Sequence, residues 1–264
     1  MVPQFDAKAT AAYLFDCHIN RVPYEALKRE IAPGTIEQAY QTQDELAKLL
    51  IRAEGPIAGF KIATTTKVMQ ALLGIDHPCG GLIFAKRIFE SPARLQTAKY
   101  MNLGIECELA VRLGRDLSTA EAPFTAGSVA SAVAAVMPAF ELIEDRKADY
   151  KDPEQTNAFS LIAENGWNAG AVLGTPSSPG QGRSLVGIEA TLRRNEVVIH
   201  TGMTEDPFAA LAWVANSVLA RGYAMRAGSV VITGSVIPTL VSVQAGDRLE
   251  FELADLGSTA LVAV

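Results

Sequence analysis

The chain has 264 residues, 49% of them hydrophobic and 20% charged, with a formal net charge of −6. A chain of this length buries roughly three quarters of its extended surface, so it needs no staple, and the composition excludes disordered, collagen-like and coiled-coil sequence. The acidic balance, with no basic run longer than Arg193-Arg194, argues against a nucleic-acid binder, because neutralising phosphates needs a basic stripe.

Residues 1–55 read as a small helical segment. Asp6 to Cys17 is rich in helix formers. Thr35 is placed to cap a second helix whose apolar positions Ile36, Ala39, Leu46, Leu49, Leu50 and Ala53 recur at helical spacing. That helix is expected to stop at Gly55-Pro56. From 56 to 264 the texture changes to a β-rich body. Strands are predicted at 57–62, 105–113, 139–144, 167–173, 187–192, 196–200, 229–233, 248–253 and 259–262. Helices are predicted at 67–73, 128–136 and 208–220, and a Gly/Pro/Ser loop at 174–182. Strands and helices do not alternate regularly, so the class is α+β and not a doubly wound sheet. Neither G-x-G-x-x-G nor G-x-x-x-x-G-K-[ST] is present, which leaves dinucleotide and P-loop readings without support.

The first residues, Met1 to Asp6, lack the basic start and apolar stretch of a signal peptide. The uncharged runs 122–140 and 227–246 are broken by Pro123, Gly127, Pro138 and Pro238, so no membrane span is expected. Three cysteines, Cys17, Cys79 and Cys107, show no C-x-x-C spacing, which fits a reducing compartment better than a disulfide framework.

Gly104-Ile105-Glu106-Cys107-Glu108-Leu109 is the most informative run. On a strand Glu106 and Glu108 project to one side, while Ile105, Cys107 and Leu109 face the core. Two neighbouring carboxylates repel unless a cation lies between them, and a hard divalent ion prefers such oxygens. The alternative is an edge strand with two solvated glutamates. Glu141, between apolar neighbours in Pro138-Ala139-Phe140-Glu141-Leu142-Ile143, is an acid in need of a partner and a third ligand. Glu144 and Asp145 are possible substitutes for it, but they begin a mixed-charge stretch that reads as solvated. Lys61 is a lone lysine in an apolar strand: either an edge residue with a snorkelling stem, or a semi-buried amine beside an anionic substrate. His18 and His200 read as surface residues, and His77 shares a loop with Cys79. Trp167 and Trp213 read as core. No G-x-S-x-G supports a serine hydrolase.

In order along the chain, Gly59-Phe60-Lys61-Ile62, Glu106-Cys107-Glu108, Pro138 to Ile143 with Arg146, Asn165-Gly166-Trp167-Asn168-Ala169-Gly170, Ala212-Trp213-Val214-Ala215-Asn216, Thr233-Gly234-Ser235 and Gly246-Asp247-Arg248-Leu249 resemble the 2-keto-4-pentenoate hydratase and 4-oxalocrotonate decarboxylase family of the fumarylacetoacetate hydrolase superfamily. The resemblance runs from about Gly55 to the end and more loosely over the helical start. It implies a mixed β-roll body and a cytoplasmic homo-oligomer. It also implies Mg²⁺ or Mn²⁺ held by Glu106, Glu108 and Glu141, with Lys61 as the family's lysine. Substrates would be small 2-hydroxydienoates or 2-oxoenoates from meta-cleavage of aromatic compounds. Hydration to a 4-hydroxy-2-oxoacid is the first expectation; the others are a 4-oxalocrotonate-type decarboxylase and a non-catalytic partner subunit. Thr66, Asn165 and Ser235 are the expected substrate-binding residues. Where the family reads Glu-Pro-Asp-x-Gly this chain has His77-Pro78-Cys79-Gly80-Gly81, and where it reads Asp-Asn this chain has Glu164-Asn165. The missing acid puts the proton path on Asp76, His77 or Glu164.

Overall fold

A computed structural model describes residues 5–179 and 184–264. The chain opens with α1 (Ala7–Ile19) and α2 (Ile36–Glu54), then β1 (Ile57–Ala63), α3 (Lys67–Leu72), β2 (Cys79–Phe84), β3 (Ile88–Glu90), β4 (Ala93–Leu95) and β5 (Leu103–Leu113). It continues with α4 (Ala126–Ala130), β6 (Val133–Glu144), α5 (Ala158–Ala163), β7 (Asn168–Leu173), β8 (Glu189–Arg194) and β9 (Val197–Met203). The last elements are α6 (Pro207–Ala220), β10 (Val230–Ser242), β11 (Arg248–Leu253) and β12 (Gly257–Ala263). No helix among the described residues is long and apolar enough to cross a membrane.

The helix boundaries follow their caps. Thr35 accepts the Gln38 N–H at the start of α2, and Gly55 ends that helix with φ 81°, a left-handed value that favours glycine. Asp6 caps α1 through the N–H groups of Lys8 and Ala9. Asp206 caps α6, with Pro207 in the first turn where its missing N–H costs nothing.

The α+β expectation holds: among the described residues the strands form two mixed sheets. One has seven strands in the order β2-β1-β10-β5-β6-β7-β3, the other five in the order β4-β12-β11-β8-β9. The sheets pack face to face, with the Phe140 and Phe251 rings 6.0 Å apart at their centroids. The larger sheet curls so far that β2 and β7, from its two sides, touch. The concave side of this roll holds a small apolar core of Ile83, Ala110, Met137, Ala139, Ala171, Leu173, Val230 and Ile232. Its convex side packs on α6 and on the second sheet, burying Leu109, Phe140, Val214 and Phe251. Helix α2 lies against α5 and β2, and so sits over the place where the roll meets itself.

Four expectations are corrected. The alanine–valine run 128–136 is not a helix: α4 stops at Ala130 and β6 begins at Val133, because tertiary burial on both faces overrides the alanine content. Lys61 is not on an edge strand, since β1 lies between β2 and β10. Asp145 and Arg146 are buried, at 1% and 3% exposure, not solvated. Trp167 ends a left-handed turn before β7 instead of opening the strand. Strand β2 was not expected at all. The loop 174–182 begins with Gly174 bonded to Pro138 and Ser177 to Val136; its residues 180–182 lie outside the described residues.

Candidate active site

Glu106 stands directly opposite Glu141 in the antiparallel β5–β6 ladder, and Glu108 follows two residues along the same face of β5. Oxygens of all three carboxylates lie within 4.8 Å of one another. Glu108 is 1% exposed and Glu141 fully buried, while Glu106 keeps partial access to solvent. Glu108 and Glu141 are each held by a named donor. Gly234 N–H donates to Glu108 Oε2 at 2.5 Å, and Asn168 Nδ2 donates to Glu141 Oε1 at 2.9 Å. Yet Glu108 Oε1 and Glu141 Oε2, both buried, have no hydrogen-bond partner among the described residues. Burial raises the Glu106 carboxyl to about 7, the Glu141 charge adding to the rise and Lys61 opposing it. Burial likewise pushes Glu108 well above the usual carboxylate range, with Glu141 and Glu106 adding to it.

Lys61 supplies the local positive charge. Its Nζ lies 2.7 Å from Glu141 Oε1 and donates to the Gly166 carbonyl at 3.2 Å. Burial opposes the ammonium, but Glu141, Glu106 and Glu108 outweigh it and hold its pKa above the ordinary lysine value. The stem runs in a slot that only glycine permits: a Cβ on Gly81 would come 2.8 Å from Lys61 Cγ, and one on Gly166 3.0 Å from Nζ. Gly166 has φ 58°, flanked by Asn165 at 55° and Trp167 at 53°, so a left-handed turn aims its carbonyl into the slot.

Three carboxylates and one ammonium leave two negative charges, which one divalent cation neutralises. The donors are all oxygen, they converge, and two of them lack a partner, so the residues present fit a hard divalent ion.

The other expected residues are placed differently. Ser235 is paired opposite Glu108, and its hydroxyl donates to Ile237 O at 2.6 Å. With Thr65, Gly234, Thr204 and Glu205 it lines a small cleft. Thr66 is exposed and caps α3 through Met69 N–H. Asp76 is exposed, its carbonyl accepting from Lys67 Nζ at 3.1 Å. The Asn165 carboxamide is taken up by β2: Oδ1 accepts Leu82 N–H at 2.7 Å and Nδ2 donates to Leu82 O at 2.8 Å. The carboxylate of Glu164 faces away from the cluster toward the helical segment. Arg146 donates to its Oε1 at 2.5 Å, and His18 Nε2 lies 2.8 Å from its Oε2. His18 is thus half-buried against Glu164 and not the surface residue expected from its helix-end position. Burial raises the Glu164 carboxyl, but His18 and Arg146 prevail and hold it below its ordinary value. His77 Nδ1 lies 2.7 Å from the Pro78 carbonyl. Cys79 is 2% exposed, and burial raises its thiol pKa, although Thr64 and Lys61 pull the other way.

Sequence reasoning missed Asn168, the Gly234 N–H and the two slot glycines. Asn168 lies inside a quoted motif and was in reach. Nothing local marks a backbone N–H as a carboxylate donor, or Gly81 as the neighbour of Lys61, because both depend on strand register.

A family model described as "Fumarylacetoacetate (FAA) hydrolase C-terminal" matches residues 85–262. This span contains Glu106, Glu108 and Glu141 but begins after Lys61. The chain is 32% identical over 246 residues to 2-oxo-hept-4-ene-1,7-dioate hydratase of Escherichia coli, covering 90% of each chain. It is 30% identical over 262 residues to 2-keto-4-pentenoate hydratase of Paraburkholderia xenovorans, covering 98% of this chain and 94% of the other. The fold is similar to that of 4-oxalocrotonate decarboxylase from Pseudomonas putida G7, solved with magnesium and adipate. That match has a TM-score of 0.86 at 22% identity and covers 98% and 97% of the two chains. The family model and the full-length relatives together place the chain in the 2-keto-4-pentenoate hydratase and 4-oxalocrotonate decarboxylase family of the fumarylacetoacetate hydrolase superfamily.

Proposed function

We propose that the protein is a divalent-metal-dependent hydratase that converts a 2-hydroxyalka-2,4-dienoate to a 4-hydroxy-2-oxoacid. The observation that carries this reading is the convergence of Glu106, Glu108 and Glu141, with two unpartnered buried oxygens, on the Lys61 ammonium. The hydratase names of its full-length relatives support the reaction. Magnesium, present in the similar decarboxylase structure, is the ion we assign, with manganese as its substitute. The complete charged cluster favours an active chain over a non-catalytic partner subunit.

Glu106, Glu108 and Glu141 would hold the cation. When bound, it supplies Lewis acidity toward the carboxylate and 2-oxygen of a 2-oxo acid. The protein's own groups do the rest. Asn168 and Lys61 fix Glu141 Oε1, and the Gly234 N–H fixes Glu108 Oε2, so the ligand oxygens are oriented before any ion arrives. A lysine ammonium has three N–H donors. Glu141 Oε1 and Gly166 O take two, and the third is left for a substrate oxygen on which negative charge develops. The Ser235 hydroxyl, on the residue opposite Glu108, and the Thr66 hydroxyl at the α3 start are the groups we assign to the substrate carboxylate. Asn165 and Glu164 act at a remove: Asn165 fixes the turn that aims Gly166 O, and Glu164 anchors that turn to α1. Cys79, buried and neutral, replaces the family's acid without taking over its proton. Water adds its hydroxyl to C4, while C5 and C3 each gain one proton, one from the water and one from the 2-hydroxyl as it becomes the 2-oxo group.

The test is ultraviolet absorbance of freshly generated 2-hydroxypenta-2,4-dienoate mixed with the protein and Mg²⁺. Loss of the dienol chromophore with 4-hydroxy-2-oxopentanoate as product supports the hydratase. Release of CO₂ from 4-oxalocrotonate, with the dienoate untouched, would assign a decarboxylase instead.

A further inference from the structure

We infer that Gln43, on α2 and far in sequence from every residue of the site, is a positioning residue for Lys61: it clasps together the two walls of the lysine slot. The inference rests on the reading above only in giving Lys61 a role toward the substrate.

The two walls belong to different parts of the curled sheet. One is β2, whose Gly81 lies against the Lys61 stem; the other is the turn after α5, whose Gly166 carbonyl receives the ammonium. These walls are not joined by a strand ladder, because β2 ends the sheet on one side and β7 lies near its other end. Backbone groups of an edge strand that point outward must find other partners. In β2 side chains provide them. Tyr40 OH receives Gly80 N–H at 3.0 Å, Gln43 Nε2 donates to Gly80 O at 2.9 Å, and Asn165 takes both backbone groups of Leu82. Gln43 does more than cover the edge. The same Nε2 donates to Ile162 O at 2.8 Å, in the helix that leads directly into the Gly166 turn. One carboxamide nitrogen therefore ties the Gly81 wall to the Gly166 wall.

Its orientation is enforced. Gln43 is 1% exposed, and its Oε1 accepts Arg221 Nη2 at 2.7 Å. Arg221 is itself fixed by Asp44 and by the Tyr40 ring, 4.3 Å from its guanidinium carbon. A guanidinium on Oε1 leaves Nε2 no alternative but to face the two carbonyls. A buried glutamine with every group assigned is a rigid link; losing it strips the Gly80 carbonyl of its side-chain donor and leaves the seam held by the Asn165 carboxamide alone.

The test is a double-mutant cycle of Gln43→Met, an apolar side chain of similar length, with Lys61→Met. Two quantities are read: kcat/KM for the dienoate, and the dissociation constant of oxalate for the Mg²⁺-loaded protein. Oxalate needs only the cation and the ammonium, so it reports on the slot even if the wild type hydrates no dienoate; that outcome sinks the hydratase reading and leaves this one testable. Gln43→Met is expected to weaken oxalate and lower kcat/KM by about tenfold in the wild type and by less than about twofold in the Lys61→Met background. Its loss of melting temperature should be the same in both. Equal losses of binding and rate in both backgrounds, or a folded Gln43→Met with unchanged oxalate affinity, would overturn the inference. If Gln43→Met does not fold, Arg221→Met releases Oε1 without touching either wall and is expected to give the same non-additive pattern. Failure of both to fold would assign Gln43 to stability alone and overturn the inference too.

Discussion

Glu106 and Glu141 face each other directly across the β5–β6 ladder, with Glu108 on the same surface two residues along. Like charges directly opposite in a ladder are destabilising, and burial makes them more so. The fold tolerates this because the Lys61 ammonium and the Asn168 amide share Glu141 Oε1 and the Gly234 N–H holds Glu108 Oε2, which leaves the other oxygens open to a cation.

Stability and metal binding should therefore oppose each other at these positions. Glu108→Gln removes one of the crowded charges. The metal-free variant is expected to melt several degrees above the metal-free wild type, at roughly 2–4 °C per kcal/mol for a chain of this size. Its melting temperature should no longer respond to Mg²⁺. Differential scanning calorimetry with and without EDTA checks both.

The metal-free protein should lose stability as pH rises. In the fold Glu106 keeps its proton up to about 7, against a value of 4.5 for the free side chain. Between those two values the folded state binds more protons than the unfolded one, so stability falls as pH rises through the window. The decline across that window is on the order of a few kcal/mol, shared among the crowded carboxyls. Urea unfolding of EDTA-treated protein across pH 4.5 to 8 should show it, and saturating Mg²⁺ should remove it.

Gly81→Ala tests the lysine slot without touching a charge. The added methyl would meet Lys61 Cγ at 2.8 Å and Asn165 O at 3.1 Å, so the stem or the turn must shift. Overpacking of this kind costs about 1–3 kcal/mol. Misplacing a charged group by about 1 Å can cost a hundredfold in rate, so kcat should fall far more than stability does. Steady-state kinetics beside a urea melt separates the two.

Glu164→Gln should act on the fold. The side chain is buried between Arg146 and His18, and its loss leaves the Arg146 guanidinium without its carboxylate. Breaking a buried pair by removing one partner costs about 3–5 kcal/mol. Because the Glu164 pKa is held below its ordinary value, the wild-type contribution is complete above about pH 4.5 and is lost as pH falls below it. Wild type and variant should accordingly converge in stability toward acid pH in chemical denaturation.

How much of this was legible differs between strand chemistry and strand neighbours. Alternation along 105–109 placed Glu106 and Glu108 on one face and Ile105, Cys107 and Leu109 in the core, as found, because side-chain direction on a strand is local. Caps at Thr35 and Gly55 were equally local. The stretch from Glu144 to Arg146 read as solvated because charge density is visible in sequence, whereas the cover supplied by Val22 and Tyr24 is not. His18 was misread for the same reason. The alanine–valine run was given to a helix because propensity cannot see that β6 lies between two strands. Lys61 needed the curl of the sheet, which brings β1 to Glu141 across the inside of the roll.

The most direct measurement of the central claim is Mn²⁺ binding by electron paramagnetic resonance at pH 8, comparing the wild type with Glu108→Gln. A single tight site in the wild type, absent from a folded Glu108→Gln, is the expected result. Equal binding by both proteins, or none by the wild type, would contradict the assignment of Glu106, Glu108 and Glu141 as the metal ligands.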